Sequence, residues 1–190
     1  MGSPGERAAD DGEVRVRPLE PRDHARVLAL NAASVVHLSP LDPDRLAALV
    51  SMASFAVVAE TAGDVVAFAV AFEPGTAYDS ENYRWWSSRA DDFVYLDRIV
   101  VAEEARGRGI ASLLYDRLED WARPRGAVVA EIDVEPPNEP SLRFHAGRGY
   151  VEHGRREGPG KTVSMVRLDL PPSPAADDQA VGGWSTARSV

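Results

Sequence analysis

Arg106-Gly107-Arg108-Gly109-Ile110-Ala111 lies between an apolar run, 93–101, and an amphipathic run, 110–121. This order predicts a strand, a glycine-rich turn and the start of a helix. The first amides of a helix have no partner inside it, and the helix dipole is positive at that end. The two glycines let the backbone approach an anion closely, and the two arginines add charge. The stretch therefore predicts a site for a phosphate or pyrophosphate.

The composition is that of an acidic chain without cysteine, with 190 residues, a net charge of −9 and 44% hydrophobic residues. The negative charge argues against a nucleic-acid partner, and no apolar run reaches the roughly 18 residues of a membrane span. The lack of cysteine excludes disulfides and thiolate catalysis, and the polar N-terminus has no signal-peptide pattern, so we expect a cytoplasmic protein. The histidine spacing predicts no metal site. Twenty arginines beside one lysine indicate a GC-rich bacterial genome.

The hydrophobic periodicity predicts the element order β–α–α–β–β–β–α–β–α–β–β, a single α/β domain over residues 13–170. Residues 1–12 and 171–190 are small, charged or rich in Pro, Ala and Gly, and we expect them to be disordered. Residues 73–92 contain Pro74-Gly75 and several aromatic residues, and they predict a long loop of the kind that often carries function.

A second motif follows the first by about thirty residues: Asn138-x-x-Ser141-x-x-Phe144-His145-x-x-x-Gly149-Tyr150. With both motifs in place, the sequence resembles the GNAT superfamily of acyl-CoA-dependent N-acyltransferases. The first motif matches that family's R-x-x-G-x-[GA] signature through Arg106, Gly109 and Ala111. The second matches its N-x-x-[AS]-x-x-[FL]-Y-x-x-x-G-[FY] pattern, except that His145 stands where the family usually has tyrosine.

The resemblance implies an α/β (α+β) fold: a mixed, mostly antiparallel central sheet that splays between its fourth and fifth strands and is flanked by helices. It also implies acetyl-CoA as co-substrate and a backbone N–H near Ile99 to Val101 that stabilises the oxyanion. The residues that it implies for binding acetyl-CoA are Ile99, Val100, Val101, Arg106, Gly107, Arg108, Gly109, Ile110, Ala111, Ser112, Asn138, Ser141 and Phe144.

Two residues are candidates for proton transfer. His145 occupies the position of the family's acid, and a histidine can serve as one; the alternative is a histidine that only packs beside the cofactor. Asp97 is the favoured base for the ammonium group, because period two puts it on the face of Ile99 and Val101. Its alternatives are an ion pair with Arg98 or an anchor for the ammonium group. The other candidates for the base are the carboxylates of the next strand, Glu131, Asp133 and Glu135.

The acceptor wall is predicted from the aromatic loop. Its candidate residues are Tyr78, Asp79, Asn82, Tyr83 and Trp85, with Trp86 beside them; the alternative is that the tryptophans cover the edge of the core. Gly158-Pro159-Gly160-Lys161-Thr162 looks like the end of a P-loop, but Arg155 replaces its first glycine and a strand pattern follows. We interpret it as a hairpin, with Lys161 near the acceptor site.

The sequence therefore predicts direct acetyl transfer to a primary amine of a small molecule, within a bacterial GNAT branch that has no settled substrate. A protein or peptide N-acetyltransferase and a non-catalytic CoA-binding module are the alternatives. The family's members are often dimers, so the resemblance also implies a homodimer.

Overall fold

The computed structural model describes residues 12–34 and 38–172. Its strands are β1 (Arg15–Pro18), β2 (Phe55–Thr61), β3 (Asp64–Phe72), β4 (Val94–Val101), β5 (Ala127–Glu135), β6 (Val151–Gly158) and β7 (Lys161–Asp169). Its helices are α1 (His24–Ala32), α2 (Pro43–Met52), α3 (Glu81–Ser87), α4 (Ile110–Ala122) and α5 (Glu139–Gly147). No helix of the described residues is long and apolar enough to cross a membrane.

The strands form one sheet in the order β1-β2-β3-β4-β5-β7-β6. Every neighbouring pair is antiparallel except β4 and β5, which run parallel. These two strands pair only at Val94 with Val128 and at Tyr95 with Val129, and they separate beyond that point. The structure thus confirms the predicted fold class and the splay between the fourth and fifth strands.

The central strands are apolar along most of their length because both faces of the sheet are covered. All residues of β3 after Asp64 are buried, and so are residues 127–130 of β5. Helix α4 buries Ile110, Leu114 and Leu118 at helical spacing against the sheet. Since α4 packs on β4 and β5 as well as on β2 and β3, it crosses the splay. The core therefore fixes the start of α4 beside the open end of β4.

The segment 73–92 differs from the predicted loop, because it contains α3. Ser80 caps this helix: its hydroxyl accepts a hydrogen bond from the Tyr83 amide. Seven residues are too few for a helical period to show in the sequence. The hairpin predicted at 158–162 is present and joins β6 to β7, and β2 and β3 form a second hairpin. The expected disordered ends fall almost entirely outside the described residues.

Candidate functional site

The separation of β4 from β5 opens a cavity of about 640 Å³. One end lies against the glycine-rich turn before α4 and the start of α5. The other end lies under α3 and the turn between β6 and β7. The cavity walls therefore combine the two sequence motifs with the aromatic segment, as the order of elements requires.

The turn before α4 has the backbone that its glycines allow. Gly107 and Gly109 adopt φ angles of +74° and +76°, and Gly109 is the N-cap of α4. A Cβ atom at either glycine would meet no atom within 4 Å, so the dihedral angle is what requires glycine here. Arg106 and Ala111 line the cavity, whereas Arg108 lines a separate groove beside β3. Open space and uncapped amides at this turn fit the phosphates of coenzyme A.

Beyond Tyr95, β4 has no pairing with β5, although Ile99, Val100 and Val101 all line the cavity. Across the opening, the Asn138 side chain caps α5 by accepting a hydrogen bond from the Ser141 amide at 3.2 Å. Ser141 and Phe144 line the same wall. An unpaired strand edge beside a polar helix start fits an extended ligand that carries amide groups, such as the pantetheine arm of coenzyme A.

Asp97 lies in the cavity at a β-bulge. Val70 pairs with Arg98 and Ala71 with Leu96, so Asp97 is the extra residue of β4. The Tyr78 hydroxyl donates a hydrogen bond to one carboxylate oxygen, and Arg98 Nε donates to the other at 2.6 Å. Arg98 also donates to Asn31 Oδ1 at 2.9 Å. Both oxygens of Asp97 are therefore already held by donors.

Glu131 lies on β5, opposite Asp97 across the splay, and lines the same cavity. The Tyr95 hydroxyl donates to both of its carboxylate oxygens, at 2.7 and 2.9 Å. Burial raises the pKa of Glu131 to about 7, and the nearby charge of Asp97 acts in the same direction. The hydrogen bond from Tyr95 limits the rise. A carboxyl group that titrates near neutral pH suits general base catalysis.

The two other carboxylates of β5 have different surroundings. Asp133 is buried and forms an ion pair with Lys161, with 2.9 Å between Lys161 Nζ and Asp133 Oδ1. Glu135 is exposed at the end of the strand, where it contacts Thr162. Of the three alternatives to Asp97 on this strand, Glu131 alone combines a place in the cavity with a pKa raised to about 7.

The predicted acceptor wall divides into two groups. Tyr78, Asp79 and Asn82 line the cavity. Tyr83 and Trp85 do not: the Tyr83 hydroxyl donates to the Glu73 carbonyl within the core, and Trp85 packs over β6. For Trp85, the structure thus agrees with the alternative that the tryptophans cover the edge of the core.

A sequence comparison identifies the family of this chain. The sequence profile of the acetyltransferase (GNAT) family matches residues 25–150, which are more than half of the chain and include strands β4 and β5 on the two sides of the cavity. The chain belongs to the GNAT family. An aminoglycoside N(6')-acetyltransferase type 1 of Serratia marcescens is 32% identical over 93 residues, which are 49% of this chain and 59% of that protein. The chain thus spans about three fifths of that relative.

Solved structures share the GNAT fold at low sequence identity. Ard1 from Thermoplasma volcanium has a TM-score of 0.68 and 17% identity, covering 83% of this chain and 98% of its own. The structure of yncA from Salmonella typhimurium, which contains its cofactor acetyl-CoA, has a TM-score of 0.63 and 20% identity over 91% and 99% of the two chains. The ribosomal-protein-S18-alanine N-acetyltransferase of Escherichia coli has values of 0.64 and 16%, over 89% and 100%.

His145 departs from the usual GNAT tyrosine and is buried. Its Nδ1 lies 2.8 Å from the Ser141 carbonyl oxygen, which can only accept, so Nδ1 carries the proton. Nε2 then accepts a hydrogen bond from the Tyr115 hydroxyl at 2.7 Å. Burial lowers the pKa of His145, which keeps the ring neutral. In this state the histidine has no free proton to donate.

Three side chains of the site were not predicted from the sequence. Tyr95 donates a hydrogen bond to Glu131, and Tyr115 donates one to His145. Arg156 on β6 donates to Asn82 Oδ1 at 2.5 Å and so turns the Asn82 amide group toward Glu131. The two tyrosines lie in elements that were predicted correctly, but neither residue stands in a motif. Only the alternation of β4 hints at Tyr95, which shares its parity with Asp97.

Proposed function

We propose that this protein transfers the acetyl group of acetyl-CoA directly to a primary amine of a small molecule, and that Glu131 accepts the proton of the ammonium group. Acetyl-CoA supplies the acetyl group as a reactive thioester. The observation that carries the proposal is Glu131 itself, a carboxyl group with a pKa of about 7 in the cavity of a GNAT fold. An amine must lose a proton before it can attack, and such a base can take that proton at neutral pH.

Asp97 is assigned the second role at this end of the cavity. Its oxygens already accept hydrogen bonds from Tyr78 and Arg98. Asp97 is thus ion-paired with a guanidinium group, whereas the donor to Glu131 is the neutral Tyr95 hydroxyl. We therefore assign Asp97 to attracting and orienting the ammonium group, and Glu131 to accepting its proton.

The acceptor end of the cavity favours a small acceptor over an extended peptide. Arg156 reaches from β6 to α3, where it contacts both Asn82 and Glu81. This bridge joins the two elements on either side of the acceptor end. An extended chain needs an open groove along the sheet, and the bridge obstructs one. A peptide acceptor is the second candidate, and peptide acetylation tests it directly.

The donor side is assigned to the two motifs. The amides around Gly107 and Gly109 are proposed to hold the diphosphate, and the free edge of β4 with Asn138 to hold the pantetheine arm. His145 is proposed to keep α5 in place beside the thioester rather than to donate a proton, because its Nε2 accepts from Tyr115.

The test is thiol release from acetyl-CoA across a panel of small primary amines. Glu131→Gln is expected to lower kcat/KM on the order of 10²-fold, and Glu135→Gln is the matched control on the same strand. If the wild-type protein binds coenzyme A but releases no thiol with any amine, the protein is a CoA-binding module and not an acetyltransferase. Equal losses in the two variants would remove Glu131 from the role of base.

A further inference from the structure

Lys161 is the only lysine of the chain, and it lines the cavity in which amines are proposed to react. It begins β7, directly after the turn at Gly160. Its Nζ lies 2.9 Å from Asp133 Oδ1, and its side chain is 41% exposed, so the ammonium group borders both the cavity and solvent. A primary amine of the protein itself therefore stands at the acceptor end.

Two carboxylates lie close to this amine. Asp133 follows Glu131 by two residues on β5, so both side chains point to the same face of the sheet. The positive charge of Lys161 acts to lower the pKa of Glu131, less strongly than burial raises it. Lys161 also has a flexible four-carbon stem that can extend along the cavity. The proposed base, Glu131, and the amine of Lys161 thus line the same cavity.

We propose that the protein acetylates its own Lys161 when no other acceptor occupies the cavity. This inference rests on the proposed acetyltransferase function and names one acceptor of the same site. The 20 arginines of the chain cannot substitute for this acceptor, because a guanidinium group stays protonated and is not a nucleophile.

The carboxylate of Glu131 takes a proton from the Lys161 ammonium group. The freed lone pair of Nζ forms a bond to the carbonyl carbon of the thioester, and the carbon–sulfur bond breaks with its electron pair moving to sulfur. The nitrogen loses its second proton to solvent, and the thiolate takes up the proton held by Glu131, directly or through water. One amide and one free thiol are formed, no redox partner is needed, and Lys161 loses its charge.

Acetylation would also change the base. It removes the positive charge that pairs with Asp133 and that lowers the pKa of Glu131. The modified protein should therefore need a higher pH to ionise Glu131, and its transfer to small amines should slow near neutral pH. The charged, titratable and hydrogen-bonding groups that face Glu131 are Tyr95 and Asp97 from β4, Asn82 from α3, Asp133 from β5 and Lys161 from β7.

The experiment incubates the full chain with acetyl-CoA and no amine, and follows the intact mass and the modified peptide by mass spectrometry. The N-terminal amine serves as an internal measure of uncatalysed acetylation. We expect one acetyl group on Lys161, formed at a rate independent of protein concentration. Glu131→Gln should slow it on the order of 10²-fold, while Glu135→Gln should not.

Three results would overturn the inference: an unmodified Lys161, a Lys161 acetylated no faster than the N-terminus, or equal acetylation in urea-denatured protein. The amine panel is run in parallel. Turnover of an amine with an unmodified Lys161 rejects self-acetylation and leaves the proposed function in place. Loss of both reactions, in protein that still binds coenzyme A, rejects the proposed function as well. In Lys161→Arg the acetyl group should be absent, which confirms the assigned position.

Discussion

Replacing Glu131 by glutamine should stabilise the folded protein while it lowers activity. In the folded protein, burial raises the pKa of Glu131 from 4.5 to about 7. Each unit of pKa difference between the folded and unfolded states corresponds to about 1.4 kcal/mol. The charged form of this side chain therefore costs the folded state about 3 kcal/mol at alkaline pH, a cost that the neutral amide of glutamine does not carry.

The sign of the pH dependence follows from proton binding. Between pH 4.5 and about 7, the folded protein keeps a proton on Glu131 that the unfolded chain has released. The contribution of Glu131 to stability is therefore fully present below pH 4.5, and it is lost as pH rises through about 7. Glu131→Gln should match the wild type in acid and exceed it by about 3 kcal/mol at about pH 8.

The assay is urea-induced unfolding of both proteins at several values between about pH 5 and pH 8, with Glu135→Gln as the control. Glu135 is exposed on the same strand, so its variant should differ little from the wild type at any pH. A stability difference for Glu131→Gln that does not change with pH would refute the reasoning. So would a variant less stable than the wild type at alkaline pH, because the carboxylate would then be stabilised rather than strained.

Three further variants test other contacts of the site. Tyr115→Phe leaves Nε2 of buried His145 without its donor, and urea unfolding should show a loss of about 1–3 kcal/mol; an unchanged stability would contradict the assigned hydrogen bond. Arg156→Ala frees the Asn82 amide to turn away from the base, so the midpoint of the pH–kcat/KM profile should move to higher pH, and Arg156→Lys should restore part of it. Gly109→Ala forces a side chain into φ +76°, which should cost about 1–2 kcal/mol and raise KM for acetyl-CoA more than it lowers kcat; an unchanged KM would contradict the role of this turn.

Much of the fold could be predicted because its signals are local. Gly107 and Gly109 stand where the backbone turns with positive φ, and the alternation of apolar and acidic residues over 130–135 marks a strand. The parallel neighbour of that strand and the splay came from the resemblance to GNAT proteins, because two apolar runs do not by themselves reveal which strands pair. The short helix α3 was not predicted. Ser80 is a typical N-cap residue, but the seven residues that follow it are too few to show a helical period in hydrophobicity.

The candidate site was predicted less completely, because its chemistry depends on contacts between distant residues. Asp97 and Glu131 are both carboxylates on neighbouring strands, and nothing local separates them. The structure distinguishes the two carboxylates. Asp97 accepts hydrogen bonds from Arg98 and Tyr78, whereas burial and the hydrogen bond from Tyr95 determine the pKa of Glu131. The β-bulge at Asp97 also depends on the pairing of β4 with β3, which the sequence does not show.

Only two residue pairs join β4 to β5. Strands β1–β4 and strands β5–β7 are therefore two halves of one sheet with a short junction, and α4 packs against both halves. A ligand in the gap between β4 and β5 would add contacts between the two halves. Amide hydrogens near the junction should then exchange with solvent more slowly in the liganded protein, even in residues that the ligand does not touch.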